Sequence, residues 1–76
     1  MSSTTMIEVF KTTINNLAQA MKVSKALEDA FGECRISFDL EDSDKILRLE
    51  SKTTINNRLV INVLNQLGFK CFVLPD

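Results

Sequence analysis

Apolar positions along the chain switch between a period of two and a period near 3.6, and the switches mark out six elements. Residues 6–12, Met-Ile-Glu-Val-Phe-Lys-Thr, are rich in β-branched and aromatic side chains and predict a strand. Ile7 and Val9 fall on one side of it and Met6 and Phe10 on the other, the pattern of a strand that is central or covered on both faces. Residues 15–31 predict a helix, with Ala20, Val23, Leu27, Ala30 and Phe31 recurring at spacings of three and four and Leu17 and Met21 alongside. Thr13, Asn15 and Asn16 offer capping oxygens at its start, and Gly32 is placed to end it in a left-handed turn. Residues 34–40 alternate, with Ile36, Phe38 and Leu40 inward and Arg35, Ser37 and Asp39 outward. After the polar turn Glu41-Asp42-Ser43-Asp44, residues 45–50 predict a third strand with Leu47 and Leu49 inward, paired with its predecessor as an antiparallel hairpin. Residues 55–67 predict a second helix along the stripe Leu59, Val60, Val63, Leu64 and Leu67. Gly68 stops it and Phe69 folds back on its last turn as in a Schellman cap, residues 70–74 predict the last strand, and Pro75 closes it.

The resulting order, strand-helix-strand twice over, predicts an α+β fold: the ferredoxin-like α/β sandwich, βαββαβ, with two helices on one face of a four-stranded antiparallel sheet. Right-handed crossovers give the strand order 4-1-3-2. Residues 1–76 are read as a single domain, since no linker or low-complexity stretch divides them. An internal echo fits two βαβ halves, and fits equally well chance together with shared capping chemistry. Lys11-Thr-Thr-Ile-Asn-Asn16 recurs as Lys52-Thr-Thr-Ile-Asn-Asn57, each copy at the opening of a helix. Each helix is followed, after a glycine, by a cysteine at the next strand, Cys34 and Cys71.

A chain of 76 residues buries only about 60% of its unfolded surface, so its stability margin is thin. Nine basic against ten acidic residues leave a net charge of −1, which argues against a general electrostatic grip on nucleic acid or anionic membrane. No apolar run approaches the ~20 residues that span a bilayer. Met1 to Met6 show neither a basic stretch nor an apolar signal core, and a cytoplasmic location is expected. There is no histidine, and the two cysteines form no CxxC; they are read as buried or half-buried thiols in a reducing compartment. At opposite edges of the expected sheet they would lie roughly 14 Å apart, beyond the reach of a disulfide.

Val23-Ser-Lys-Ala-Leu27, Ile36-Ser-Phe-Asp-Leu40, and Val60 to Leu67 followed by Gly68-Phe69 together resemble the first helix, second strand and second helix of heavy-metal-associated domains. The resemblance covers residues 7–74. It implies a metal-carrying loop between first strand and first helix, of pattern Met-x-Cys-x-x-Cys. In register, Ile14 stands at the methionine and Asn16 and Gln19 at the two cysteines. Neutral amides do not become thiolates, so no metal site is carried over.

The motifs of other chemistries are incomplete as well. A calcium loop starting at Asp42 needs Gly where Leu47 stands and Glu where Thr53 stands, so the acidic segment is read as a solvated turn. Acylphosphatases of this fold need a glycine-rich cradle and an arginine, which Thr12-Thr-Ile-Asn-Asn16 lacks; both Thr-Thr-Ile-Asn-Asn segments could instead offer helix N-terminal amides to an anion. RNA-recognition domains stack bases on aromatics of the first and third strands; Lys45 to Glu50 has none, and the chain is slightly acidic. Small-molecule-sensing domains of the ACT type share the element order but use a glycine-containing first turn, which is missing. No catalytic, cofactor-binding or metal-binding residue and no cofactor is expected. The remaining lead is the uncovered sheet face, where Phe10 and Ile46, with Phe72, are expected: clustered, they mark a surface for a protein partner or a second copy; scattered, they are ordinary surface hydrophobics that need no partner. The expected role is a non-enzymatic binding module, with an atypical metal carrier and an ACT-like sensor as alternatives.

Overall fold

Asparagine side chains decide where both helices begin. In the computed structural model, which describes residues 5–75, the order is β1 (Met6–Thr12), α1 (Leu17–Phe31), β2 (Arg35–Asp39), β3 (Ile46–Ser51), α2 (Asn57–Gln66) and β4 (Cys71–Val73). The reading of Met1 to Met6 as free of an export signal, and both ends of the expected 1–76 domain, fall partly outside the described residues. Asn16 is extended (φ −148°, ψ 171°) and caps α1, so the helix starts two residues later than expected from residue 15. Asn56 caps α2 through Leu59 N–H at 3.2 Å, which moves that start from 55 to 57. The repeated hexapeptide is thus used out of step: its second Asn caps α1, its first caps α2. In both copies the Ile before the cap is buried, Ile14 fully and Ile55 at 8% exposure.

The end of α2 follows the sequence closely. Phe69 N–H reaches Leu64 O at 2.9 Å and Gly68 N–H reaches Asn65 O at 3.0 Å, the two bonds of a Schellman motif, with Gly68 at φ 93°.

The four strands form one antiparallel sheet in the order β2-β3-β1-β4, which read from the β4 edge is 4-1-3-2. Phe10, Leu47, Leu49 and Cys71 from the strands, Ala20, Val23 and Leu27 from α1, and Val60 and Leu64 from α2 form one core cluster with Ile14 and Ile55. The helices therefore share one side of the sheet. Their buried stripes are narrower than the sequence suggested. Leu17 and Met21 are 70% and 65% exposed, Leu59 is 37% exposed, and Ala30 is exposed as well.

One expected orientation is reversed. Phe10 does not point to the uncovered face; it is fully buried, opposite Leu47 on β3 and on the helix side. Glu8 shares that side, half-buried, and its carboxylate accepts a 2.6 Å hydrogen bond from the Asn57 amide at the first turn of α2. The hydrogen bond gives this polar side chain a partner on the core side.

Thr12 ties the sheet to its hairpin. Its buried hydroxyl donates to Lys45 O at 2.6 Å and accepts from Ile14 N–H at 3.2 Å. Lys45 is held at φ 50°, and its Nζ reaches Leu40 O at 3.0 Å. Thr12→Val keeps the shape but leaves the Lys45 carbonyl and Ile14 N–H without these partners. It should cost about 2–4 kcal/mol in urea unfolding; a loss under ~0.5 kcal/mol, the size of an ordinary surface change, would show that water replaces the hydroxyl.

Candidate functional site

The loop between β1 and α1 is closed by its own side chains. Ile14 anchors it in the core. Asn16 Oδ1 accepts Gln19 N–H at 2.9 Å, and Gln19 Oε1 accepts Asn15 N–H at 2.8 Å. Gln19 is the third helical residue, so the two amides form a reciprocal start of the capping-box kind. Gln19 N–H is one of the donors that the helix start leaves over, and Asn15 N–H belongs to the residue before the cap. As a metal site the loop does not fit: it offers neutral amide oxygens where a soft ion needs sulfur or imidazole. Among the described residues, no group of three or more His, Cys, Asp or Glu side chains is placed to hold an ion.

The acidic turn is likewise taken up locally. Asp42 Oδ1 accepts Asp44 N–H at 2.8 Å, and Asp44 faces Lys11 Nζ at 3.6 Å. Both partners of that ion pair are substantially exposed, so it contributes little.

Cys34 precedes β2 and Cys71 opens β4, at the two edges of the sheet, and both are free thiols. Burial, with a smaller contribution from the Glu28 carboxylate, pushes the half-buried Cys34 thiol up. Burial pushes the Cys71 thiol from an ordinary 9.0 to about 11. The folded state therefore keeps a proton that the unfolded chain releases first. This contribution to stability is complete below pH 9 and is lost as pH rises from about 9 to about 11. Urea unfolding of the wild type should weaken across that window more than unfolding of Cys71→Ala. Equal slopes would show that Cys71 ionises as freely in the folded state as in the unfolded one. Cys34 lines an open groove of about 700 Å³ with Phe31, Arg35, Glu50, Lys52 and Thr53, in which cations and carboxylates are mixed.

The side of the sheet opposite the helices has two unlike halves. Cross-strand partners share a face, so Arg35, Ser37 and Asp39 on β2 stand with Glu50, Arg48 and Ile46 on β3, and these with Ile7, Val9 and Lys11 on β1. Phe72 on β4 lies opposite Lys11, and Leu74 N–H bonds Val9 O at 2.9 Å. The β2–β3 half is charged, with Arg48 and Glu50 in contact at 2.7 Å. The β1–β4 half carries Ile7 (42% exposed), Val9, Phe72 (54% exposed) and Leu74, with Ile46 beside it. Of the three residues expected on this face, Ile46 and Phe72 are there and Phe10 is not. Ile7 and Val9 take its place; the signal that locates them is the pairing of Phe10 with inward Leu47. Leu17 and Met21, one turn apart on α1, make a second exposed apolar spot next to the closed loop.

No protein-family model, curated protein or solved structure matches this chain.

Proposed function

We infer that this chain is a non-enzymatic binding module of ferredoxin-like topology. On this reading it is a relative of heavy-metal-associated domains in which the metal loop has become a helix cap. The observation that carries the inference is the closed β1–α1 loop: Asn16 and Gln19, at the positions the resemblance gives to metal thiolates, spend their oxygens on backbone N–H groups. A loop committed in this way has a structural task and no ligand to deliver. The surface left for recognition is the open sheet face. Its apolar half, around Ile7, Val9, Phe72 and Leu74, suits a protein partner with an apolar centre, ringed by Lys11 and Arg48.

Titration with copper(I) under reducing conditions tests the inference. The expected result is no stoichiometric complex that survives a competing chelator. A tight one-to-one complex would sink it and favour a carrier with atypical ligands.

A further inference from the structure

The two edges of the sheet are finished differently. β4 is three residues long, and Pro75 follows two residues later, which blunts that edge. β2 has five residues, Arg-Ile-Ser-Phe-Asp, and among the described residues no strand pairs with its outer side. Which backbone groups face outward follows from the ladder. Val9 O accepts from Leu74 N–H at 2.9 Å and Thr13 N–H donates to Lys70 O at 3.2 Å, so the odd residues of β1 face β4 and the even ones face β3. The alternation carries through Phe10↔Leu47 and Ser37↔Arg48 to β2. Arg35, Ser37 and Asp39 therefore bond inward to β3, while Ile36 and Phe38 turn N–H and C=O to the free edge.

This edge is complementary to itself. An antiparallel copy placed about a twofold at Ser37 sets Ile36 opposite Phe38 of the second copy, and Phe38 opposite Ile36. Those are the residues with free backbone groups, so each pair exchanges two hydrogen bonds. The same twofold sets Arg35 opposite Asp39 at both ends, on the exposed face, in the closely spaced pairs where side chains approach most. The two half-buried apolar side chains, Ile36 and Phe38, gain cover on the helix side. Small Ser37 sits at the axis. Hydrogen-bond phase and apolar pattern repeat every two residues and fix only which face pairs with which; within the five-residue strand, the pairing of Arg35 with Asp39 selects the register about Ser37.

We propose that the β2 edge is a homodimer interface, in which two copies pair β2 to β2 in antiparallel fashion about Ser37 and join their sheets into one. The contact is isologous and closes on itself, so it does not propagate into fibres. It stands apart from the open-face reading, because the apolar half of that face lies toward β4, at the other edge.

Charge reversal tests it. Sedimentation equilibrium of the full chain, up to ~1 mM and at low salt, should show a monomer–dimer equilibrium for the wild type. Arg35→Asp sets carboxylate against Asp39 at both ends, and Asp39→Arg sets cation against Arg35 at both ends. Each should weaken dimerisation at least about tenfold. An equimolar mixture of the two variants restores opposite charges at both ends and should return to near wild-type affinity, as should the double variant R35D/D39R. Recovery in the mixture also shows that each variant is folded. A wild type that stays monomeric throughout overturns the proposal. So does a single variant that dimerises as tightly as the wild type, or a mixture no tighter than its components.

Discussion

Phe10→Ala should cost about 3–5 kcal/mol, whereas Phe72→Ala, on the neighbouring strand, should cost less than ~0.5 kcal/mol. Phe10 is fully buried among Leu47, Leu49, the α1 stripe and the α2 stripe; Phe72 is 54% exposed on the opposite face. Truncating Phe10 removes a ring from the centre of a two-layer core and leaves a cavity that the helices can close only in part. For a chain of 76 residues, total stability is on the order of 4–11 kcal/mol at ~0.05–0.15 kcal/mol per residue. At the lower end of that range the loss removes most of the stability, and anywhere in the range it is visible as a lowered urea midpoint by circular dichroism. Similar losses for the two variants would mean that β1 lies the other way up, with Ile7 and Val9 beneath the helices.

That contrast also shows where the sequence was readable. β2 and β3 alternate cleanly, and their inward residues Ile36, Phe38, Leu47 and Leu49 are where periodicity places them. The stop of α2 at Gly68 and Phe69 was readable because a Schellman motif needs only adjacent residues. β1 was ambiguous, being apolar on both sides. Its inward side carries Glu8, which by composition alone belongs outside. Glu8 is held there by the Asn57 amide, 49 positions along the chain, and no local pattern reveals such a partner. The deciding fact, Phe10 opposite Leu47, is a register between strands separated by a helix and a hairpin. Leu17 and Met21 misled for a related reason. They continue the apolar spacing of α1 toward its start, where the helix leaves them 70% and 65% exposed. Similarly, the repeated hexapeptide marks both helix starts but does not itself say which Asn becomes the cap, the second in one copy and the first in the other.

The loop chemistry was more legible than the surface chemistry. Asn16 and Gln19 stood out because a resemblance assigned those positions to sulfur, and short-range capping rules explain what amides do there. The open face and the β2 edge depend on which strands are neighbours and in what phase they bond. Arg35 and Asp39 read singly are two ordinary solvent-facing charges. They become a self-complementary pair only once the ladder shows that Ile36 and Phe38 carry the free backbone groups.

The double replacement Asn16→Cys with Gln19→Cys should convert the loop into a copper(I) site, with an affinity gain of at least about a thousandfold, or ~4 kcal/mol, over the wild type. The expectation rests on what the loop already supplies. Ile14 pins it to the core, and the start of α1 orients positions 16 and 19 toward one another, as the 2.9 Å bond from Gln19 N–H to Asn16 Oδ1 shows. A helix start also favours thiolate over thiol. The ion-free variant should be less stable by about 1 kcal/mol or somewhat more, because the cap and its reciprocal bond are lost. Added copper(I) should more than reverse that loss, since an ion that binds only the folded state stabilises it. Thermal unfolding with and without the ion measures both effects in one sample. The outcome also separates two ideas. Tight binding by the variant alone would show that the two amides are all that separates this loop from a soft-metal site. A folded variant that binds no better than the wild type would show that the loop does not bring positions 16 and 19 together for an ion, and would leave the amide clasp as a helix cap only.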